Sequence, residues 1–294
     1  MKHVSPYNES DMLRSFSLVF SRSVFKEILE YQDFSRLDSL IEQYNIHLET
    51  SITYGDIIRR IYRIIRKSYC CEYVYKNEFL TRMLIRHYGT SNTIAFNEFK
   101  IPPSIVDIAL FNGESKAFEI KTEYDTPKRL DSQLDNYCKF FDKCYLIIPE
   151  DLLSKYLPIV ADHIGILLMS HSKLSVNLFQ YRDALNNEVL STELVMRVLR
   201  TQEFKNIISH YYGALPNVSC FEMFDHCSNL IKHIPTEKLR LYVLNEIKSR
   251  RNSTPYIKQL PSELRQIALS LNLRNEEIAL LKETLNKPIL KPVI

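Results

Sequence analysis

Asp107, Glu119 and Lys121 have the residue types and spacing for metal-assisted phosphoryl chemistry. Two carboxylates can hold Mg²⁺ through hard oxygen ligands and leave positions for a water and a phosphate oxygen. A lysine one strand step from the glutamate can orient or help deprotonate the attacking water, and can offset charge developing on the phosphorane. The chemistry this trio implies is hydrolysis of a phosphodiester bond.

A β-hairpin must bring the three together. Ile105 to Phe111 is rich in β-formers, Asn112-Gly113 is a strong turn signal, and Lys116 to Glu123 alternates as a strand does. That alternation puts Ala117, Glu119, Lys121 and Glu123 on one side, with Phe118, Ile120 and Thr122 on the other. The hairpin register sets Asp107 across from Ile120, to within a residue or two. Whether Asp107 shares the face of Glu119 and Lys121 depends on turn detail that the sequence leaves open.

An Asp strand, a hairpin and the run Glu119-Ile120-Lys121 resemble the core of the PD-(D/E)XK nuclease superfamily. Gln133 and Tyr137 on the following helix are similar to the Q-x-x-x-Y motif of its RecB-type branch. Ser104-Ile105-Val106-Asp107 is similar to that branch's G-x-x-D, with serine for glycine and no proline directly before Asp107. The resemblance covers about residues 76–182. Glu-x-Lys by itself carries little, because charged alternation is common on half-exposed strands.

The resemblance implies an α/β fold with a restriction-endonuclease-like mixed β-sheet core flanked by helices. It implies a Mg²⁺-dependent nuclease, with Mn²⁺ as a substitute metal, in which Asp107 and Glu119 bind the metal and Lys121 positions the water. Glu78 would be a further metal ligand, and Gln133 and Tyr137 would contact substrate. DNA is the substrate expected from the superfamily, and a homodimer or a larger complex is expected by analogy with enzymes that cut two strands. The alternative is a non-catalytic module of the same fold that binds nucleic acid or a protein partner. Local readings compete as well: Glu78 can pair with Arg82 four residues on, Gln133 can be a surface amide, and Tyr137 a core-edge aromatic.

The rest of the chain supplies the frame. Its 294 residues are 45% apolar, with no Trp and only five Gly, a composition that favours a helix-rich α/β protein over a sandwich or barrel. Apolar residues recur at helical intervals over 11–49, 56–67 and 77–88. Strands are expected at 93–101, 143–149, 164–169 and 175–181, with a helix from Leu130 to Phe141. The run 143–149 is continuously apolar, as a central parallel strand is. Beyond residue 188 strand signals stop and helical patterns continue, so the expected division is 1–75 helical, 76–187 sheet core and 188–294 helical, with an extended tail at the end.

The net charge of +3 says little by itself. Arg59, Arg60, Arg63, Arg66 and Lys67 at helical spacing, and Lys248, Arg250 and Arg251, either track phosphates or form solvated faces. The six cysteines lack a zinc-knuckle spacing, the N-terminus is polar, and no apolar run reaches membrane length. The expectation is a cytoplasmic protein with free thiols and no membrane partner.

Overall fold

The structure is a computed structural model, and it describes residues 8–47, 51–171 and 176–289. The start of the expected strand at Ser175 and the last residues of the expected tail lie outside the described residues. The chain divides into two compact units, one comprising Met1–Thr90, Ser170–Leu178 and Asn252–Ile294, the other Ser91–Met169 and Phe179–Arg251.

The first unit begins with helices α1 (Glu9–Leu18), α2 (Arg22–Tyr31), α3 (Ser35–Gln43) and α4 (Tyr54–Ser68). In α4 the isoleucines at 57, 58, 61 and 65 are buried, whereas Arg60, Arg63 and Lys67 are exposed, as its 3.6-residue period requires. Thr53 caps α4 by accepting from the Asp56 amide at 3.2 Å, while Asp56 accepts from the Thr53 amide at 3.2 Å. The helix expected from Asn77 starts earlier, as α5 (Glu72–Phe79), and continues as a π-helix over Leu80–Tyr88. It stops at Gly89, whose φ of 74° suits a residue without a Cβ.

The second unit is built on a six-stranded mixed sheet in the order β1 (Ile94–Ile101), β2 (Ser104–Phe111), β3 (Ser115–Ile120), β4 (Lys143–Pro149), β5 (Gly165–His171) and β6 (Val176–Arg182). The first three strands pair antiparallel, whereas β3–β4 and β4–β5 are parallel. Strand β4, parallel to both neighbours, has Cys144 to Pro149 buried, which is why its sequence is apolar without alternation. The turn between β2 and β3 is the expected one: Asn112 donates to the Glu114 carbonyl at 3.1 Å and Gly113 takes φ 97°.

Helix α6 (Leu130–Cys138) lies between β3 and β4 in sequence, preceded by a 3₁₀ turn over Pro127–Arg129; a short α7 (Leu153–Tyr156) lies between β4 and β5. After β6 come α8 (Thr192–Val198), α9 (Thr201–Tyr212), α10 (Met223–Ile231) and α11 (Thr236–Lys248). One core joins these helices to the sheet: Val106, Ala109, Ala117, Leu146 and Ile148 from the strands meet Leu134, Tyr137, Phe204, Ile207, Ile231 and Ile247. The helices after the sheet up to Lys248 therefore cover one of its faces.

The chain then returns to the first unit with α12 (Arg265–Leu271) and α13 (Asn275–Leu285), which pack on α2. An isolated bridge between Thr53 and Pro288 ties this end to the start of α4. What results is an α/β protein whose mixed sheet is flanked by helical N-terminal and C-terminal regions.

Candidate functional site

The hairpin register pairs Ile108 with Phe118, one residue short of the expected offset. Because residues opposite each other point to the same side, Asp107 falls on the face of Glu119 and Lys121, the point the sequence left open. The ladders on both sides of β2 skip Asp107. Toward β1 the residue opposite is Glu98, at φ 53° in the left-handed region, and toward β3 the Asp107 carboxylate itself accepts from the Ile120 amide at 2.8 Å. The break turns a ladder position into a side-chain anchor.

Glu119 is almost fully buried and both its oxygens are held. Lys121 Nζ lies 2.6 Å from Oε1, and the Tyr137 hydroxyl lies 2.9 Å from Oε2. The Tyr137 hydroxyl also lies 2.6 Å from the Ile105 carbonyl, and Gln133 Oε1 accepts from Lys121 at 3.3 Å. Gln133 and Tyr137, four residues apart on α6, thus address the same network from above the sheet, and all five residues form one cluster. Glu123 does not join it, because β3 ends at Ile120 and residues 122–125 turn away, with Asp125 accepting from the Thr122 amide at 2.7 Å.

Electrostatics follow from that burial. Desolvation, reinforced by the Asp107 charge, pushes the Glu119 carboxyl up to about 7 against the pull of Lys121 and Tyr137. For Lys121 burial works to lower the affinity for its proton, but Glu119, Asp107 and Asp125 outweigh it and hold the ammonium above its usual range. Burial and the Glu119 charge together raise Tyr137, which stays a neutral hydroxyl.

Beside the cluster opens a cleft of about 520 Å³ lined by Pro103, Ser104, Ile105, Lys121, Asp125, Thr126, Arg129, Ser132 and Gln133. Arg129 and its neighbour Lys128 are exposed, and neither has an ion pair among the described residues. Tyr156 is fully buried, its hydroxyl lacks a hydrogen-bond partner among the described residues, and it lies within electrostatic reach of Asp125 and Lys121. Thr126, Arg129 and Ser132 were not singled out from the sequence. The signal available was the Lys128-Arg129 pair at the start of a helix.

Glu78 belongs to the other unit. It is buried there, with Arg66 at 3.0 Å, Arg82 at 3.2 Å and the Tyr62 hydroxyl at 3.0 Å, so the local pairing with Arg82 is the arrangement found. Of the two basic clusters, Arg59 pairs with Asp56 and Glu263, Arg66 pairs with Glu78, and Arg250 is spent on Glu203. Arg60, Arg63 and Lys67 remain on the wet side of α4.

The donors do not fit a Mg²⁺ ion as they are arranged. A cation would have to displace the Lys121 ammonium from Oε1 or the Tyr137 hydroxyl from Oε2, at a carboxyl already disposed to keep its proton near neutrality. Among the described residues no group of three or more His, Cys, Asp or Glu side chains is gathered in a way that could hold a metal ion. Fold and cleft define the class: an α/β protein with a mixed sheet whose site is a closed hydrogen-bonded network beside a polar cleft.

The chain belongs to the bacteriophage P4 protein cII family, whose model matches residues 65–279. Protein cII of Enterobacteria phage P4 is 26% identical over 149 residues, covering 50% of this chain and 55% of that protein, so this chain spans about half the length of the curated relative it matches. A solved structure, a protein of unknown function from Silicibacter pomeroyi, is similar at 14% identity with a TM-score of 0.31, covering 49% of this chain and 94% of that one. The family membership overturns the PD-(D/E)XK resemblance. With it go the expectations of a nuclease, of a hydrolase and of metal binding, since the motif spacing is met by a chain of another family and the described residues gather no metal cluster. No helix among the described residues is long and apolar enough to cross a membrane.

Proposed function

We propose that this chain is a non-catalytic nucleic-acid-binding module, which holds a phosphate backbone in the cleft between the start of β2 and α6. The observation that carries the reading is the pairing of a polar cleft with cations that no carboxylate among the described residues neutralises, Lys128 and Arg129 at the start of α6. Lys121 lies in the same lining, and Ser104, Thr126, Ser132 and Gln133 offer hydrogen bonds to phosphate or sugar oxygens. In this proposal Gln133 contacts the ligand directly, whereas Asp107, Glu119 and Tyr137 hold Lys121 in place.

The test is fluorescence anisotropy with labelled duplex DNA, single-stranded DNA and RNA at low salt. Wild type should bind at least one of them, and Lys128→Glu with Arg129→Glu should weaken binding by about tenfold or more and flatten the salt dependence by roughly two counterions. Absence of binding by folded wild type, or an unchanged affinity in the double variant, refutes the proposal. A second reading, docking of a protein partner, is favoured by the exposed Tyr212, Leu215, Phe221 and Phe224 near the end of α9 and the start of α10, of which Phe221 is 96% exposed. A protein partner whose capture survives the double charge reversal and is lost on Phe221→Ser would favour it.

A further inference from the structure

At the far end of α6 from the cleft mouth, three side chains that the proposed binding does not use come together. Cys138, the last residue of α6, is half-buried, and its Sγ lies 3.6 Å from Nε2 of the exposed His163. Behind it, fully buried in β4, is Cys144, in the core against which Cys138 packs; the two thiols lie close enough to influence each other, and the Asn187 amide lies 3.7 Å from Cys144 Sγ. An accessible thiol backed by a histidine and in touch with an inaccessible thiol is the arrangement of an attacking and a resolving cysteine.

We propose that Cys138 and Cys144 are a reversible thiol–disulfide pair, with Cys138 as the nucleophile toward small disulfides, His163 as its activating partner and Cys144 as the resolving thiol. In the first step the Cys138 thiolate attacks one sulfur of a low-molecular-weight disulfide. A mixed disulfide forms and one thiolate leaves. Cys144 then gives up its proton and attacks the Cys138 sulfur, which closes the Cys138–Cys144 bond and expels the second small thiol. Two protein thiols are oxidised and one small disulfide is reduced to two thiols, so no other oxidant is needed.

The electrostatics agree with the division of roles. The neighbouring Cys144 thiol and the His163 ring bring Cys138 down to about 7, against burial and the Asp135 charge, while burial holds Cys144 well above the usual thiol range. A thiol titrating near neutrality is about half thiolate there, against a few per cent or less for an ordinary thiol, which should outweigh its lower intrinsic nucleophilicity and give a rate severalfold above an ordinary exposed thiol. Cys220, which is exposed, serves as that reference within the same chain. The pair belongs to the sheet unit alone, and the inference does not depend on nucleic-acid binding.

The experiment exposes the full chain to oxidised glutathione near neutral pH, blocks the remaining thiols, and maps cysteines by peptide mass spectrometry. Wild type should yield a Cys138–Cys144 cross-linked peptide that dithiothreitol reverses, ahead of any adduct on Cys220. Cys144→Ala, which keeps the buried position apolar, should stop at a glutathione adduct on Cys138. Cys138→Ser should leave Cys144 unmodified, and His163→Gln should slow the first step severalfold at neutral pH with convergence on wild type at alkaline pH. Circular dichroism confirms that each variant is folded. Reaction of Cys138 no faster than Cys220, or a stable Cys138 adduct in wild type without the cross-link, overturns the proposal.

Discussion

Glu203→Ala is expected to lower the unfolding free energy by about 3–5 kcal/mol, because it leaves a buried guanidinium without its counter-charge. Glu203, on α9, and Arg250, just after α11, are about nine-tenths buried. Arg250 Nε and Nη2 meet the two Glu203 oxygens at 2.8 and 2.6 Å, and Nη2 also donates to the Val198 carbonyl at 2.9 Å. The guanidinium carbon stands 5.7 Å from the centre of the Phe99 ring, so the pair locks two covering helices against the first strand. The same carboxylate accepts from the Arg200 amide at 2.7 Å and closes the start of α9, so alanine removes a helix cap as well.

Burial alone would raise the Glu203 carboxyl, but its hydrogen bonds from Arg250 and the Arg200 amide win and hold it below the usual range. Its contribution is therefore present above the unfolded-state value and is lost as pH falls through the lower folded-state value. Urea unfolding near neutral pH measures the effect as a lower midpoint at unchanged slope. Glu203→Ala combined with Arg250→Met should cost less than the two single changes added together, since the double variant strands no charge. A single-variant cost below about 1 kcal/mol would mean that the pair is hydrated in solution and that the helices are held by apolar contacts alone.

Arg250 also shows where sequence reading succeeds and where it stops. Elements whose signal is local were legible: the Asn112-Gly113 turn, the continuous apolar run of β4, the isoleucine stripe of α4, and the i, i+4 relation that puts Gln133 and Tyr137 over one cluster. The proximity of Asp107, Glu119 and Lys121 was legible for the same reason, since a turn fixes its hairpin register to within a residue, although the face that Asp107 takes was not. What was not legible depends on partners far along the chain. Nothing in the run Lys248 to Arg251 says that Arg250 will be claimed by Glu203 while Arg60 and Arg63 stay in water. Nor does the hairpin say that the Tyr137 hydroxyl and the Lys121 ammonium will occupy both Glu119 oxygens. The nuclease resemblance failed at this level: residue types and spacing specify which groups meet, and the burial of Glu119 together with its bonded partners decides what they can do. The π-helical turn after Phe79 has no composition signal at all, and the helical periodicity of the sequence runs straight through it.

Glu119→Gln is expected to remove a pH dependence that wild type shows between the unfolded-state value of 4.5 and the folded-state value of about 7. In that window the folded chain keeps a proton on Glu119 that the unfolded chain has released, so stability falls as pH rises. The loss begins near the lower value and is complete above the upper one, amounting to roughly 3 kcal/mol at full extent. Glutamine keeps one acceptor oxygen, for Lys121 or for Tyr137, and carries no titrating charge, so the difference between the two proteins isolates this carboxyl from every other group that titrates over the same range. Lys121→Met should move the wild-type midpoint further upward, because the ammonium is the strongest influence holding the carboxylate charged. Urea unfolding at a series of pH values reads all three. Parallel profiles for wild type and Glu119→Gln would show that the carboxylate is as well solvated in the folded chain as in the unfolded one, and would remove the closed network from the site. If the profiles converge at low pH and diverge upward, protonation of Glu119 leaves the cluster one positive charge richer just below neutrality. On the proposed binding at the cleft, nucleic-acid affinity should then rise over the same interval, and Glu119→Gln should hold it at the low-pH level throughout.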